Sequence, residues 1–224
     1  MNGISVSQAG LRQQTLGRFF ATKANSTSSK EDLGRGAWIL HRPSLWSASE
    51  ADAITDHLIW RLPWQQREVL IHGRRVLQPR LIVYQAADPR LSYTYSRVKL
   101  NPEPWDAVVL AVKERVEACL GTSFNSCLLN YYRDGKDKMS WHSDNEPLYG
   151  SEPTIASVSF GAARDFILRS NEDHACKRTY SLGQGTLLVM GGSTQDHWMH
   201  AVPPRARVEE PRINLTFRQI IRQP

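Results

Sequence analysis

No apolar run in the 224-residue sequence approaches the roughly 18 residues that a membrane-spanning helix needs, so no membrane partner is expected. Cysteine is scarce. Cys119, Cys127 and Cys176 are odd in number and far apart, which argues against a disulfide framework and for a reducing compartment. No internal repeat is visible, and no acidic residue occurs among the first 30. With 41% hydrophobic residues the chain can bury a sizeable core, and its length suits one domain plus a tail.

The formal charge of +6 is uneven. Residues 1–45 hold six Lys/Arg against two acids, while residues 46–224 hold 22 against 20. Within the body, residues 67–99 collect Arg67, Arg74, Arg75, Arg80, Arg90, Arg97 and Lys99 against Glu68 and Asp88, with Tyr84, Tyr93 and Tyr95 interleaved. That mixture suits a nucleic-acid backbone with stacked bases. It equally describes a solvated charged surface.

Residues 1–36 are rich in Ser, Thr, Gln, Asn and Gly and read as a disordered tail before a domain at 37–224. Ser47 and Glu50 have capping-box spacing, so a helix is expected to start there, with Ile54 and Leu58 inward and Pro63 beyond its end. A second helix is predicted over 105–120, with Val108, Val109, Val112 and Val116 as its apolar face and Gly121 as its cap. Short β-like runs follow at 124–132, 154–160, 164–169, 177–182, 186–190, 197–202 and 212–220. Two helices before many short strands predict a mainly β sandwich or barrel with flanking helices.

In an extended segment, His142 and Asp144 face the same side and could share a metal. Two His and one carboxylate leave open positions and suit a non-haem Fe(II) oxygenase. His200 is the best candidate for the third ligand. His197 also comes into question, because a strand at 197–202 would turn one of the two inward and spacing does not choose. Along 212–218, Ile213, Leu215 and Phe217 share one face, while Arg212, Asn214, Thr216 and Arg218 share the other. Two arginines in an apolar strand are costly to bury unpaired, and they make sense if they grip a dicarboxylate. An exposed edge strand with a wet face reads the same way. Asn130 and Tyr132 share a face on their own strand and offer further donors.

Taken together, Asn130-x-Tyr132, Arg133-Asp134-Gly135, His142-x-Asp144, a distant His200, and Arg212-x-Asn214-Leu215-Thr216-Phe217-Arg218 resemble the AlkB oxidative demethylases over roughly residues 38–222. Trp141-His142-Ser143-Asp144, Ala156-Ser157-Val158-Ser159-Phe160-Gly161, Arg164-x-Phe166 and His197-Trp198-x-His200 look most like the eukaryotic DNA-repair members. The resemblance implies a double-stranded β-helix (jelly-roll) core. It implies Fe(II) on His142, Asp144 and His200, which resolves the His197 question, and 2-oxoglutarate on Asn130, Tyr132, Arg212, Asn214, Thr216 and Arg218, with O2 as the second co-substrate. It places the nucleotide-recognition region at about 67–99. There Tyr95 would stack on the target base with the His142 ring on its other face, and Tyr93, Ser96, Arg80 and Glu146 would be nearby. Ile71-His72-Gly73 stands where duplex-acting relatives carry a wedge, or is a plain β-turn. Asn145 departs from the family's usual Asp, which leaves Glu146 to favour a cationic base. The implied activity is repair of alkylated DNA, single- or double-stranded, by oxidative demethylation of 1-methyladenine and 3-methylcytosine, by a chain acting as a monomer. An RNA demethylase is the alternative within the class, and a non-catalytic adaptor the alternative outside it.

In the tail, Gln13, Leu16, Phe19 and Phe20 fit Q-x-x-[aliphatic]-x-x-[aromatic]-[aromatic]. One helical turn would present the three apolar residues to a groove. This resembles the peptide that docks on the eukaryotic sliding clamp, PCNA, and implies a nuclear enzyme. Arg12, Arg18, Lys23 and Lys30 without acids also fit a mitochondrial or other organelle presequence.

Overall fold

The computed structural model describes residues 29–71, 73–95 and 98–221. Its elements run β1 (Ser29–Gly34), β2 (Ala37–Arg42), α1 (Ala48–Arg61), β3 (Glu68–Ile71), β4 (Arg74–Leu77), β5 (Leu81–Ala86), β6 (Tyr93–Tyr95), β7 (Val98–Leu100), α2 (Ala107–Leu120), β8 (Ser126–Tyr132), β9 (Met139–His142), a 3-10 turn (Pro147–Tyr149), β10 (Ile155–Gly161), β11 (Arg164–Ser170), β12 (Lys177–Leu182), β13 (Thr186–Gly191), α3 (Thr194–His197), β14 (Trp198–Val202) and β15 (Arg212–Arg218).

The last eight strands are divided, four and four, between two antiparallel sheets. β8, β10, β13 and β15 lie in a seven-stranded sheet of order β1-β2-β13-β10-β15-β8-β5, and β9, β11, β12 and β14 form a sheet of order β12-β11-β14-β9. That is the expected double-stranded β-helix. Its strand pairs are set by side-chain alternation. β15 is buried along its whole length. Ile213, Leu215 and Phe217 lie opposite Phe160, Val158 and Ala156 of β10 and, with these, join the core under both helices. The opposite face, facing the smaller sheet, carries Asn214 beside Ser159 and Thr216 beside Ser157.

The helices form where expected. Ser47 and Glu50 make the reciprocal capping box of α1, and Leu62, just before Pro63, is its C-cap. Ile54 and Leu58 are buried against Val108, Val109, Val112 and Val116 of α2, each such side chain contributing about 1.5–3 kcal/mol. Gly121, at φ 67°, ends α2 in the left-handed conformation that a side chain would disfavour.

Two expectations need correction. The polar tail does not run to residue 36. Ser29–Gly34 is a strand paired with β2 from Ser29↔His41 to Gly34↔Ala37. The open edge of β2 supplies its backbone partners, and Glu31 accepts from Arg178 Nε (2.7 Å) and the Tyr180 hydroxyl (2.5 Å) of β12, a long-range gain that composition hides. The strands also begin well before residue 124. The basic stretch folds into two hairpins, β3–β4 and β6–β7, followed in each case by return into the body of the domain.

Candidate metal and dicarboxylate site

His142 and His200 are register partners across β9 and β14, so their side chains leave the same face of the small sheet, ring centroids 4.1 Å apart. The register shifts between His200 and Val202, whose partners are His142 and Met139. Three steps on β9 therefore answer two on β14, a bulge that re-aims the end of the strand. Within it the Ser140 carbonyl accepts from His142 Nδ1 (2.9 Å), which leaves Nε2 as the free lone pair. Phe166 stacks on His200 at 5.1 Å. Asp144 follows in the loop after β9. Its backbone N–H donates to Gln195 Oε1 (2.8 Å), and its Oδ2 accepts from Arg218 Nη2 (2.7 Å). One ligand atom from each of His142, Asp144 and His200 lies within 4.8 Å of the others.

The protonation states suit a cation. Burial lowers the pKa of His142. Burial and then the neighbouring His142 push His200 down to about 3, against the opposing pull of Asp144. Burial alone would raise Asp144, but the charge of Arg218, followed by the two histidines, holds it well below the ordinary carboxylate range. Near neutral pH the group is two neutral imidazoles and one carboxylate, the form in which these side chains ligate a metal.

The large sheet supplies the other wall. Arg212 faces Tyr132, and Asn214 faces Asn130, across β15 and β8. These four, with Thr216, Arg218 and the three candidate ligands, line one cleft between the sheets. Arg212 is buried and donates through Nη2 to Ser159 Oγ (2.8 Å). Its Nε and Nη1 have no hydrogen-bond partner among the described residues. Two orphaned donors on a buried cation are expensive and fit a carboxylate that arrives as ligand. Arg218 is committed to Asp144, so Arg212 carries the larger unmet demand. Asn214 donates to Ser157 Oγ (2.7 Å) and accepts from Thr216 (2.9 Å), so Thr216 orients a neighbour as well as lining the cleft.

Other expected site residues fall elsewhere. Arg80 is buried, and its Nε donates to Asn130 Oδ1 (2.8 Å). It thereby holds Asn130, one of the residues that line the cleft. His197 ends α3, and the strand starts at Trp198, so it is not the alternative strand position and is outside the metal group. Glu146 is half-buried at the start of the 3-10 turn, and Asn145 is exposed. Gly73, at φ 78°, lies in the turn of the β3–β4 hairpin, and His72 is outside the described residues. Tyr93 and Tyr95 lie on β6, with only their backbone described. Ser96 and the peptide Gln13–Phe20 also lie outside the described residues.

Sequence reasoning placed Ser157, Ser159 and Phe166 within the motifs that carry the resemblance but gave them no role, and it missed Gln195. The period-2 serines within the apolar run of β10 were a usable signal. Nothing local marks Gln195, 51 residues from the Asp144 amide that it receives.

The sequence matches the family described as the 2OG-Fe(II) oxygenase superfamily over residues 37–218. The human protein named alpha-ketoglutarate-dependent dioxygenase alkB homolog 3 is 41% identical over 191 residues, which cover 81% of this chain and 66% of that protein. The Arabidopsis thaliana protein named DNA oxidative demethylase ALKBH2 is 35% identical over 227 residues, covering 89% and 72%. The solved structure of OsALKBH1 matches with a TM-score of 0.59 at 17% identity, over 85% of this chain and all of that one, a likeness of fold. The chain spans 64–66% of the length of the bovine and rat alkB homolog 3 proteins.

Proposed function

The chain belongs to the 2OG-Fe(II) oxygenase superfamily, and within it to the AlkB type, and from that premise we propose that it oxidatively demethylates nucleic-acid bases, with 1-methyladenine and 3-methylcytosine in DNA as substrates. The observation that carries the reading is the opposition of the two walls. A two-histidine, one-carboxylate group on one side faces a buried arginine with unmet donors on the other.

His142, Asp144 and His200 would hold iron(II), which with 2-oxoglutarate and O2 would supply the oxidation of a methyl C–H bond, giving succinate, CO2 and a hydroxymethyl base that loses formaldehyde. The chain's own share is placement. Ser140 fixes the His142 tautomer, and Gln195 and Arg218 fix Asp144, the kind of outer support that sets metal affinity. Arg212, Asn130, Tyr132 and Asn214 hold the 2-oxo acid. Exposed Arg67, Arg74, Arg75 and Lys99 on or beside the two hairpins meet phosphates, and Glu146 favours a cationic methylated base. The relatives named DNA oxidative demethylase ALKBH2 favour DNA over RNA. Docking of residues 13–20 on a sliding clamp and residence in the nucleus belong to the same reading, and immobilised PCNA that retains the full chain but not a Phe19→Ala/Phe20→Ala variant would support the docking.

The test is to incubate the chain with Fe(II), 2-oxoglutarate and DNA or RNA oligonucleotides bearing either lesion, single-stranded and duplex, and to follow methyl mass. Loss of 14 mass units per lesion (roughly, for a methyl replaced by hydrogen) from DNA supports the reading. Faster loss from RNA moves the substrate to RNA, and turnover of 2-oxoglutarate without loss of methyl moves it to another modified base.

A further inference from the structure

Two buried cations share one tyrosine at the floor of the cleft. Arg164 opens β11 and is only 2% exposed. Its Nη1 donates to the Asp134 carbonyl (3.0 Å) and its Nη2 to the carbonyls of Asp137 (2.8 Å), Pro203 (2.7 Å) and, at the limit, Gly135 (3.5 Å). It therefore ties the β8–β9 connection to the segment after β14. Among the described residues no carboxylate forms an ion pair with it. Asp137, whose carbonyl it bonds, gives both carboxylate oxygens to Arg133, and the adjacent Asp165 is taken by Arg205. The guanidinium carbons of Arg164 and Arg212 lie 5.8 and 5.2 Å from the centre of the Tyr132 ring. Arg164 does not itself line the cleft, whereas Tyr132 and Arg212 do.

Uncompensated buried charge is costly unless a counter-charge arrives. Burial works against the charge on Arg212, Tyr132 favours it, and the charge of Arg164 opposes it again; a bound carboxylate relieves the burial and the repulsion alike. We propose that Arg164 is a positioning residue that holds Tyr132 beside Arg212 and, through its charge, makes the floor of the cleft selective for a 2-oxo acid with a second, distal carboxylate. This rests on the reading that a 2-oxo dicarboxylate occupies the cleft. A residue needed only to close the β8–β9 connection would require the four carbonyl bonds but not the shared ring, and it would not discriminate between acids.

The test measures binding by calorimetry on the full chain loaded with Mn(II). The probes are 2-oxoglutarate and 2-oxopentanoate, which keeps the 2-oxo acid and lacks the distal carboxylate. Wild type is expected to prefer the dicarboxylate by more than about tenfold, the scale of one charge-assisted pair. Arg164→Met is expected to reduce that preference by about tenfold with 2-oxopentanoate affinity within about twofold of wild type, and Arg164→Lys, which retains the charge, to keep most of it. Equal weakening of both acids, or no change, in whichever variant folds would overturn the proposal and leave Arg164 a structural residue, as would failure of both variants to fold. Absence of any preference in wild type would instead sink the dicarboxylate reading of the cleft.

Discussion

The cleft wall on β15 and the hairpin β3–β4 are both rich in arginine, and they use it in opposite ways. Every residue of β15 is buried, and its arginines are placed by register partners on two neighbouring strands. Every residue of β4 is exposed. Arg75 there makes a 3.4 Å ion pair with Glu68 between largely exposed side chains, an interaction of the kind that contributes little. A buried arginine with unmet donors defines a ligand by charge and geometry, whereas an exposed one defines only a sign. The chemistry of the site is accordingly fixed by the core, and under the proposed function the choice of nucleic acid would be left to the two-stranded ribbons.

The sharpest way to break that division is at the metal group. His142→Ala or Asp144→Ala should abolish demethylation and metal binding together, since either removes one of three ligands. Retained Mn(II) affinity in a calorimetric titration of either variant would refute the triad. Next in size is Arg212→Met. Losing charge-assisted bonds to a carboxylate costs about 1.5–3 kcal/mol, so the KM for 2-oxoglutarate should rise by roughly 10–150-fold while kcat at saturation and the KM for the oligonucleotide stay near wild type. Gln195→Leu, which removes the acceptor for the Asp144 amide, should lower metal affinity by about 10–100-fold without touching any ligand. A normal metal titration would show that Arg218 alone orients Asp144.

The hairpin is probed from the other side by Arg74→Ala/Arg75→Ala. Its expected signature is weaker oligonucleotide binding and a salt dependence shallower by about one unit for each phosphate that is no longer neutralised, with the KM for 2-oxoglutarate unchanged. A change in co-substrate affinity instead would mean that the hairpin and the cleft are coupled and do not divide the work between them.

What the sequence made legible follows the same line. The alternation of Arg212, Asn214, Thr216 and Arg218 against Ile213, Leu215 and Phe217 is a property of one strand, and so it could be read locally. The spacing of His142 and Asp144 reads as an extended pair, and the two do converge, but Asp144 lies beyond the end of β9 and is held by Gln195 and Arg218. His200 was nominated on chemistry and secured by resemblance, because its pairing with His142 is a register between strands 58 positions apart in the sequence. The roles of Arg80 and Arg164 were not legible at all. A basic residue near tyrosines looks like surface until the fold shows it buried, and only the fold brings three carbonyls of the β8–β9 connection and that of Pro203 to one guanidinium.

The smallest expected effect tests the scaffold with no ligand in play. Asp106 caps α2, accepting from the Val108 and Val109 amides at 2.9 and 3.2 Å, and both carboxylate oxygens lie 3.0 Å from His57 Nε2 on α1. Burial would raise its pKa, but the bond and charge of His57, followed by the two amides, keep it below the ordinary 3.8. A carboxyl whose folded-state pKa is depressed stabilises the fold above its unfolded value, and this contribution disappears as pH falls through the lowered one. Asp106→Ala should therefore cost about 1 kcal/mol near neutral pH in urea unfolding, with demethylation unchanged, and the gap from wild type should narrow below about pH 4. Asp106→Asn keeps an N-cap of similar quality and removes the charge. If it unfolds like wild type at neutral pH, the cap carries the effect; if it unfolds like Asp106→Ala, the bond between the two helices does.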